Sequence, residues 1–101
     1  MADALRVVVV EDEGLIRMDV VATLQEAGYE VVGEGADGEE AIKLATELEP
    51  DLVVMDIKMP KMDGMETLEK LRTLSPDTPV IVISGHANID TAVESVKKGA
   101  F

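Results

Sequence analysis

Three short apolar runs in this sequence each end in groups that can do chemistry. The run at residues 52–55, Leu52-Val53-Val54-Met55, lies between the Pro50-Asp51 breaker and Asp56. An apolar run of this length reads as a strand buried on both faces, as in a parallel sheet. A loop with Pro60 and Gly64 follows. Ligands of open parallel sheets bind beyond the carboxyl ends of the strands, so Asp56 stands where chemistry is usually done. Taken alone, the stretch also admits a buried helical segment, with Asp56 as a turn or capping residue, because periodicity does not separate the two. The other runs favour the strand. Leu5-Arg6-Val7-Val8-Val9-Val10 ends in Glu11-Asp12-Glu13, and Pro79-Val80-Ile81-Val82-Ile83 ends in Ser84-Gly85-His86. If the three run parallel, these groups share one edge of a sheet. Crowded carboxylates repel one another, and their ionised forms call for a cation. A cluster of oxygen donors without His or Cys suits a hard ion, Mg²⁺ more than Zn²⁺.

Composition narrows the classes of function. A chain of 101 residues makes one domain, residues 1–101, and buries roughly 65% of its unfolded surface. Aromatic residues are 2% of the chain against 47% hydrophobic, so the core is aliphatic. A net charge of −12 argues against direct binding to nucleic acid or an anionic membrane. The Lys97-Lys98 pair is explained by a helix C-terminus. Cys is absent, which removes disulfide and thiolate readings and suits a reducing cytoplasm. Residues 1–4 lack the features of a signal peptide, and no apolar run is long enough to span a membrane.

The elements that must position the acidic residues follow from the pattern between the runs. Ile16, Val20, Val21, Leu24 and Ala27 form a helical stripe, with Asp12 or Glu13 at its start and Gly28 in the C′ position. Residues 30–34 make a shorter, more polar strand, expected nearer an edge. Asp37 with Glu40 three residues on reads as a capping-box variant, opening a helix with Ala41, Ile42, Ala45 and Leu48 inward and Pro50 as its stop. Met65, Leu68, Leu71 and Leu74 mark a third helix, with Asp63 as its cap. Ile89, Ala92, Val93 and Val96 mark a fourth, closed by Gly99. Strand–helix alternation with short loops predicts an α/β fold with a parallel sheet and right-handed crossovers. The methionines at 55, 59, 62 and 65 read as packing and loop filler.

With these words in place, the chain resembles the response-regulator receiver domains of bacterial two-component systems. The resemblance rests on Val10-Glu11-Asp12-Glu13, on Met55-Asp56-Ile57-Lys58-Met59-Pro60 with Met62-Asp63-Gly64, on Ile83-Ser84-Gly85, and on Gly99-Ala100-Phe101. It covers essentially the whole chain. It implies a flavodoxin-like (CheY-like) three-layer sandwich with parallel strand order 2-1-3-4. It also implies a phosphorylation switch: Asp56 as phosphoacceptor from a histidine kinase, Asp12 as a direct Mg²⁺ ligand, Glu11 as a ligand through water, and the Lys58 backbone carbonyl as a further ligand. Ser84 would contact a phosphoryl oxygen, while Lys58 and His86 occupy positions that modulate the lifetime of the phosphoryl group. Any enzymatic activity is then limited to self-phosphorylation and autodephosphorylation. An aspartyl-nucleophile phosphatase is disfavoured, because its second Asp is replaced here by Lys58. Ser84-Gly85-His86 is not a hydrolase site, since no G-x-S-x-G frames the serine.

The resemblance is not uniform. Residues 1–64 look like the receivers of RNA-binding antiterminator regulators, and residues 79–101 like those of enhancer-binding activators. The family's fifth strand, with its Lys-Pro, and its fifth helix are expected to be absent. The fourth strand is then an apolar edge, and such an edge invites pairing with another chain. The alternative function is therefore a receiver-like scaffold that self-associates through that strand without being phosphorylated.

Overall fold

A computed structural model describes residues 4–56 and 64–83, without the side chains of Asp56, Met65 and Ile83. The elements alternate as expected: β1 (Arg6–Val10), α1 (Gly14–Glu26), β2 (Glu30–Gly35), α2 (Gly38–Leu48), β3 (Leu52–Asp56), α3 (Gly64–Leu74) and β4 (Val80–Ile83). All strand pairings are parallel, and the sheet order is β2-β1-β3-β4. The polar strand β2 does lie at an end of the sheet. The expected fourth helix, the Asp63 cap, Met59 and Met62 fall outside the described residues, as does all that follows β4.

Alternation along the strands divides the core into two layers. Val7 and Val9 of β1 join Leu52 and Val54 of β3 and pack with Val20 and Leu24 of α1. Val8 and Val10 join Val53 and Met55 and pack with Ala41 and Ala45 of α2 and Leu68 and Leu71 of α3. Both faces of β1 and β3 are therefore dry, which is why their sequences are continuous apolar runs. The helix stripes are largely as predicted. Leu44 joins the α2 face, and Leu74 is exposed where the spacing predicts it inward.

The helix ends show why the chain breaks where it does. Gly28 has φ +97°, its N–H donates to the Gln25 carbonyl at 3.0 Å, and the Tyr29 N–H donates to the Leu24 carbonyl at 3.0 Å. That pair of bonds closes α1 in a Schellman motif, and Leu24 and Tyr29 pack in the same cluster. At α2 the Asp37 carboxylate accepts from the Glu40 N–H at 2.9 Å, while Glu40 Oε1 accepts from the Ala36 N–H at 3.2 Å. The capping box thus forms with its return bond one residue further out than usual. Glu49 ends the helix at φ 47°, a left-handed conformation, ahead of Pro50, which disfavours the α region for its predecessor. Arg6 Nη1 donates to the Leu48 carbonyl at 2.9 Å and the Glu49 carbonyl at 3.3 Å, serving oxygens the helix leaves open.

Thr67 of α3 is an exception to the apolar core. Its side chain is fully buried, and its hydroxyl has no hydrogen-bond partner among the described residues. An unsatisfied buried hydroxyl costs about 1–3 kcal/mol. Thr67→Val keeps the shape and removes that cost. The substitution should stabilise the protein by about 1 kcal/mol and raise Tm by roughly 4–8 °C in thermal denaturation. A lowered Tm would show that the hydroxyl is satisfied in solution.

Candidate functional site

The register of the sheet brings the ends of β1, β3 and β4 to one edge. Val10 of β1 pairs with Met55 of β3, and Asp56 pairs with Ile83 of β4. Glu11 thus follows β1 at the level where β3 reaches Asp56, and Asp12 comes one residue later. Ser84 directly follows β4. The Asp56 side chain, Lys58, Ser84 and His86 lie outside what the structure describes. What it places is the backbone of Asp56 and the whole turn at the end of β1.

That turn is closely held. The Glu11 N–H donates to the Gly35 carbonyl of β2 at 2.9 Å, continuing the sheet by one bond. The Glu11 side chain is buried, 2% exposed, and its Oε1 accepts from the Glu13 N–H at 3.3 Å. The sequence suggests Asp12 or Glu13 as the group favouring the start of α1. Glu13 is the N-cap residue, at the start of the helix as expected, but its side chain makes no cap bond; the Glu11 carboxylate accepts from the Glu13 N–H instead. The reason is geometric. The inward carboxylate of Glu11 is already at the turn, whereas Asp12 and Glu13 point to solvent and are exposed.

Two residues near this turn were not singled out from the sequence. Arg17 of α1 donates from Nη1 to the Glu11 carbonyl oxygen at 2.8 Å, and its Nε lies 3.5 Å from Glu34 Oε1 of β2. A signal existed: Arg17 is the sole Lys or Arg between residues 7 and 42, amid ten acidic residues. The buried Glu11 and exposed Asp12 carboxylates at this turn offer oxygen donors of the kind Mg²⁺ takes, and this chemistry fits that ion. Among the described residues no group of three or more His, Cys, Asp or Glu is placed to hold a metal. The Asp56 carboxylate is not among the side chains described.

A doubly covered parallel sheet with carboxylates at its carboxyl edge defines a class of α/β proteins that bind ligands at that edge. The chain belongs to the response regulator receiver domain family, whose model matches residues 7–101. Domains of this family take phosphoryl groups from histidine kinases in two-component signalling, and they generally bind Mg²⁺ in doing so. The transcriptional regulatory protein PdtaR of Mycobacterium tuberculosis is 42% identical over 95 residues, which are 94% of this chain and 46% of that protein. The chain thus spans about half the length of that relative. The chemotaxis protein CheY of Thermotoga maritima is 38% identical over 95 residues, 94% of this chain and 79% of that protein. The crystal structure of the response regulator domain of Thermotoga maritima CheB superposes with a TM-score of 0.75 at 35% identity, over 96% of this chain and 74% of that one. Among the described residues no helix is long and apolar enough to cross a membrane.

Because Asp12 is exposed, its charge contributes little to the fold. Asp12→Asn should leave unfolding free energy within about 0.5 kcal/mol of the parent in urea titration. A larger loss would mean that the carboxylate has a structural partner in solution.

Proposed function

We propose that this chain is a phosphoacceptor module in which Asp56 receives a phosphoryl group from a histidine kinase. The observation that carries this reading is the register. Val10 opposite Met55 and Asp56 opposite Ile83 bring the ends of β1, β3 and β4 to one edge. An Asp56 carboxylate oxygen forms the bond to phosphorus as the P–N bond to the donor imidazole breaks. The electron pair returns to the imidazole nitrogen. Glu11, Asp12, Asp56 and the Lys58 backbone carbonyl are the groups we assign to Mg²⁺. The bound ion supplies charge neutralisation for the phosphoryl oxygens. Ionised, Glu11 and Asp12 would oppose the approach of a phosphoryl donor in the absence of a cation. Ser84 takes the role of contact to a phosphoryl oxygen, and Lys58 and His86 the role of tuning how long the group lasts. The absence of Cys suits a cytoplasmic setting.

The test is intact mass after incubation with acetyl phosphate and Mg²⁺, beside Asp56→Asn and a chelator control. The parent should gain the mass of one phosphoryl group, and neither control should. A folded parent that gains nothing, or an Asp56→Asn variant that gains as much, overturns the assignment.

Copies of this chain are the second partner we infer, through β4. Among the described residues β4 has a neighbour on one side only, β3, and Val80, Ile81 and Val82 are half-buried. Light scattering should show mass rising with concentration. A monomer at all concentrations rules out this partner.

A further inference from the structure

The pairing of β2 with β1 contains a shift. Val7 pairs with Val31, but Val8 pairs with Gly33, so Val32 is an extra residue in β2. Val31 packs in the α1 layer and Val32 in the layer of α2 and α3. Regular alternation would return Gly33 to the α1 face and send Glu34 toward α2. The reverse is found. A Cβ on Gly33 would lie 3.0 Å from Leu48 Cδ1 and 3.3 Å from Leu44 Cδ2, both on α2. A Cβ on Gly35 would meet Glu40 and Leu44 of the same helix. Glu34, between them, is turned to the α1 face, where it meets Arg17. Bulges re-aim side chains next to functional sites, and this one aims Glu34.

Arg17 connects that bulge to the acidic turn. Its guanidinium is shared between Glu34 Oε1 at 3.5 Å and the Glu11 carbonyl oxygen at 2.8 Å. The Glu11 carbonyl belongs to the peptide that carries Asp12. An ion pair as exposed as Arg17–Glu34 contributes little stability, so its value lies in aim. We propose that Arg17, oriented by Glu34 from the β2 bulge, is a positioning residue that fixes the Glu11–Asp12 peptide for Mg²⁺. This rests on the reading of Glu11 and Asp12 as the metal-holding pair.

Charge and position make opposite predictions here, which renders the proposal testable. Removing the Arg17 cation would by Coulomb's law alone tighten binding of Mg²⁺ nearby. Loss of a positioning contact weakens it. Isothermal titration of the metal-free chain with MgCl₂ should give Arg17→Gln about tenfold weaker binding than the parent. The double variant with Glu34→Gln should bind no more weakly than Arg17→Gln, because the two residues act as one unit. In the metal-free protein, amide hydrogen exchange at residues 11 and 13 should quicken in Arg17→Gln. Unchanged or tighter Mg²⁺ binding by Arg17→Gln overturns the proposal. If Arg17→Gln does not fold, Glu34→Gln decides it: weaker binding with faster exchange supports it, and parental values for both overturn it. A folded parent that binds no Mg²⁺ overturns this proposal and the metal assignment together. Parental binding in all variants overturns this proposal alone.

Discussion

The burial of β1 on every side is the constraint from which the rest follows. Val7, Val8, Val9 and Val10 are all 0–1% exposed. β2 and β3 flank the strand, α1 covers one face and α2 the other. Beyond Arg6 at its start the strand has no polar outlet along its length, so the next polar side chains come where it leaves the sheet. Glu11 and Asp12 come there. The same logic holds for β3, where Leu52, Val53, Val54 and Met55 precede Asp56. The backbones of Glu11 and Asp56 come level because two dry strands pair in register up to Val10 and Met55.

This is also why the architecture could be read from the sequence. β-branched runs bounded by carboxylates, and helical stripes closed by Gly28 or Pro50, carry their physical cause locally. The parallel sheet, the polar end strand β2 and the capping box at Asp37 follow from such local signals, whereas the strand order 2-1-3-4 was implied by the resemblance. What escaped the reading depends on groups brought together from afar. Arg6 serves carbonyls of α2 more than forty residues away. Thr67 is buried because α3 lies against the core, although it is outside the apolar stripe of that helix. The cap of α1 is held by Glu11 and not by its nearer neighbours, since side-chain direction at the end of β1 decides who reaches the Glu13 N–H.

The backbone placement of the candidate acidic residues was legible to a similar degree and for the same reason. Glu11, Asp12 and Asp56 announce themselves as polar ends of apolar runs, and the register brings the backbones of Glu11 and Asp56 level, with Asp12 one residue further on. Arg17 and Glu34 could not be paired in that way. Their meeting depends on one extra residue, Val32, that reverses which face the rest of β2 presents. Alternation along Glu30-Val31-Val32-Gly33-Glu34-Gly35 predicts the opposite face for Glu34, and the glycines, which carry no side chain, hide the change of phase. Gly33 and Gly35 also face α2 closely enough that larger residues would press on Leu44 and Leu48.

At the opposite pole of the sheet, Arg6 and Asp51 form a clasp. The Asp51 N–H donates to the Arg6 carbonyl at 2.8 Å, and the Arg6 N–H donates to Asp51 Oδ2 at 2.8 Å. These bonds tie β1 to the entry of β3, where side-chain packing alone would tolerate sliding between two rows of aliphatic residues. A strand advances about 3.3 Å per residue, so the clasp lies roughly 17 Å from the acidic edge. A slip of one residue at the clasp would displace Asp56 by about 3.3 Å relative to Glu11 and turn its side chain to the other face. The spacing of the carboxylates is therefore gauged from the far end of the molecule, and Arg6–Asp51 works as the zero mark of that gauge.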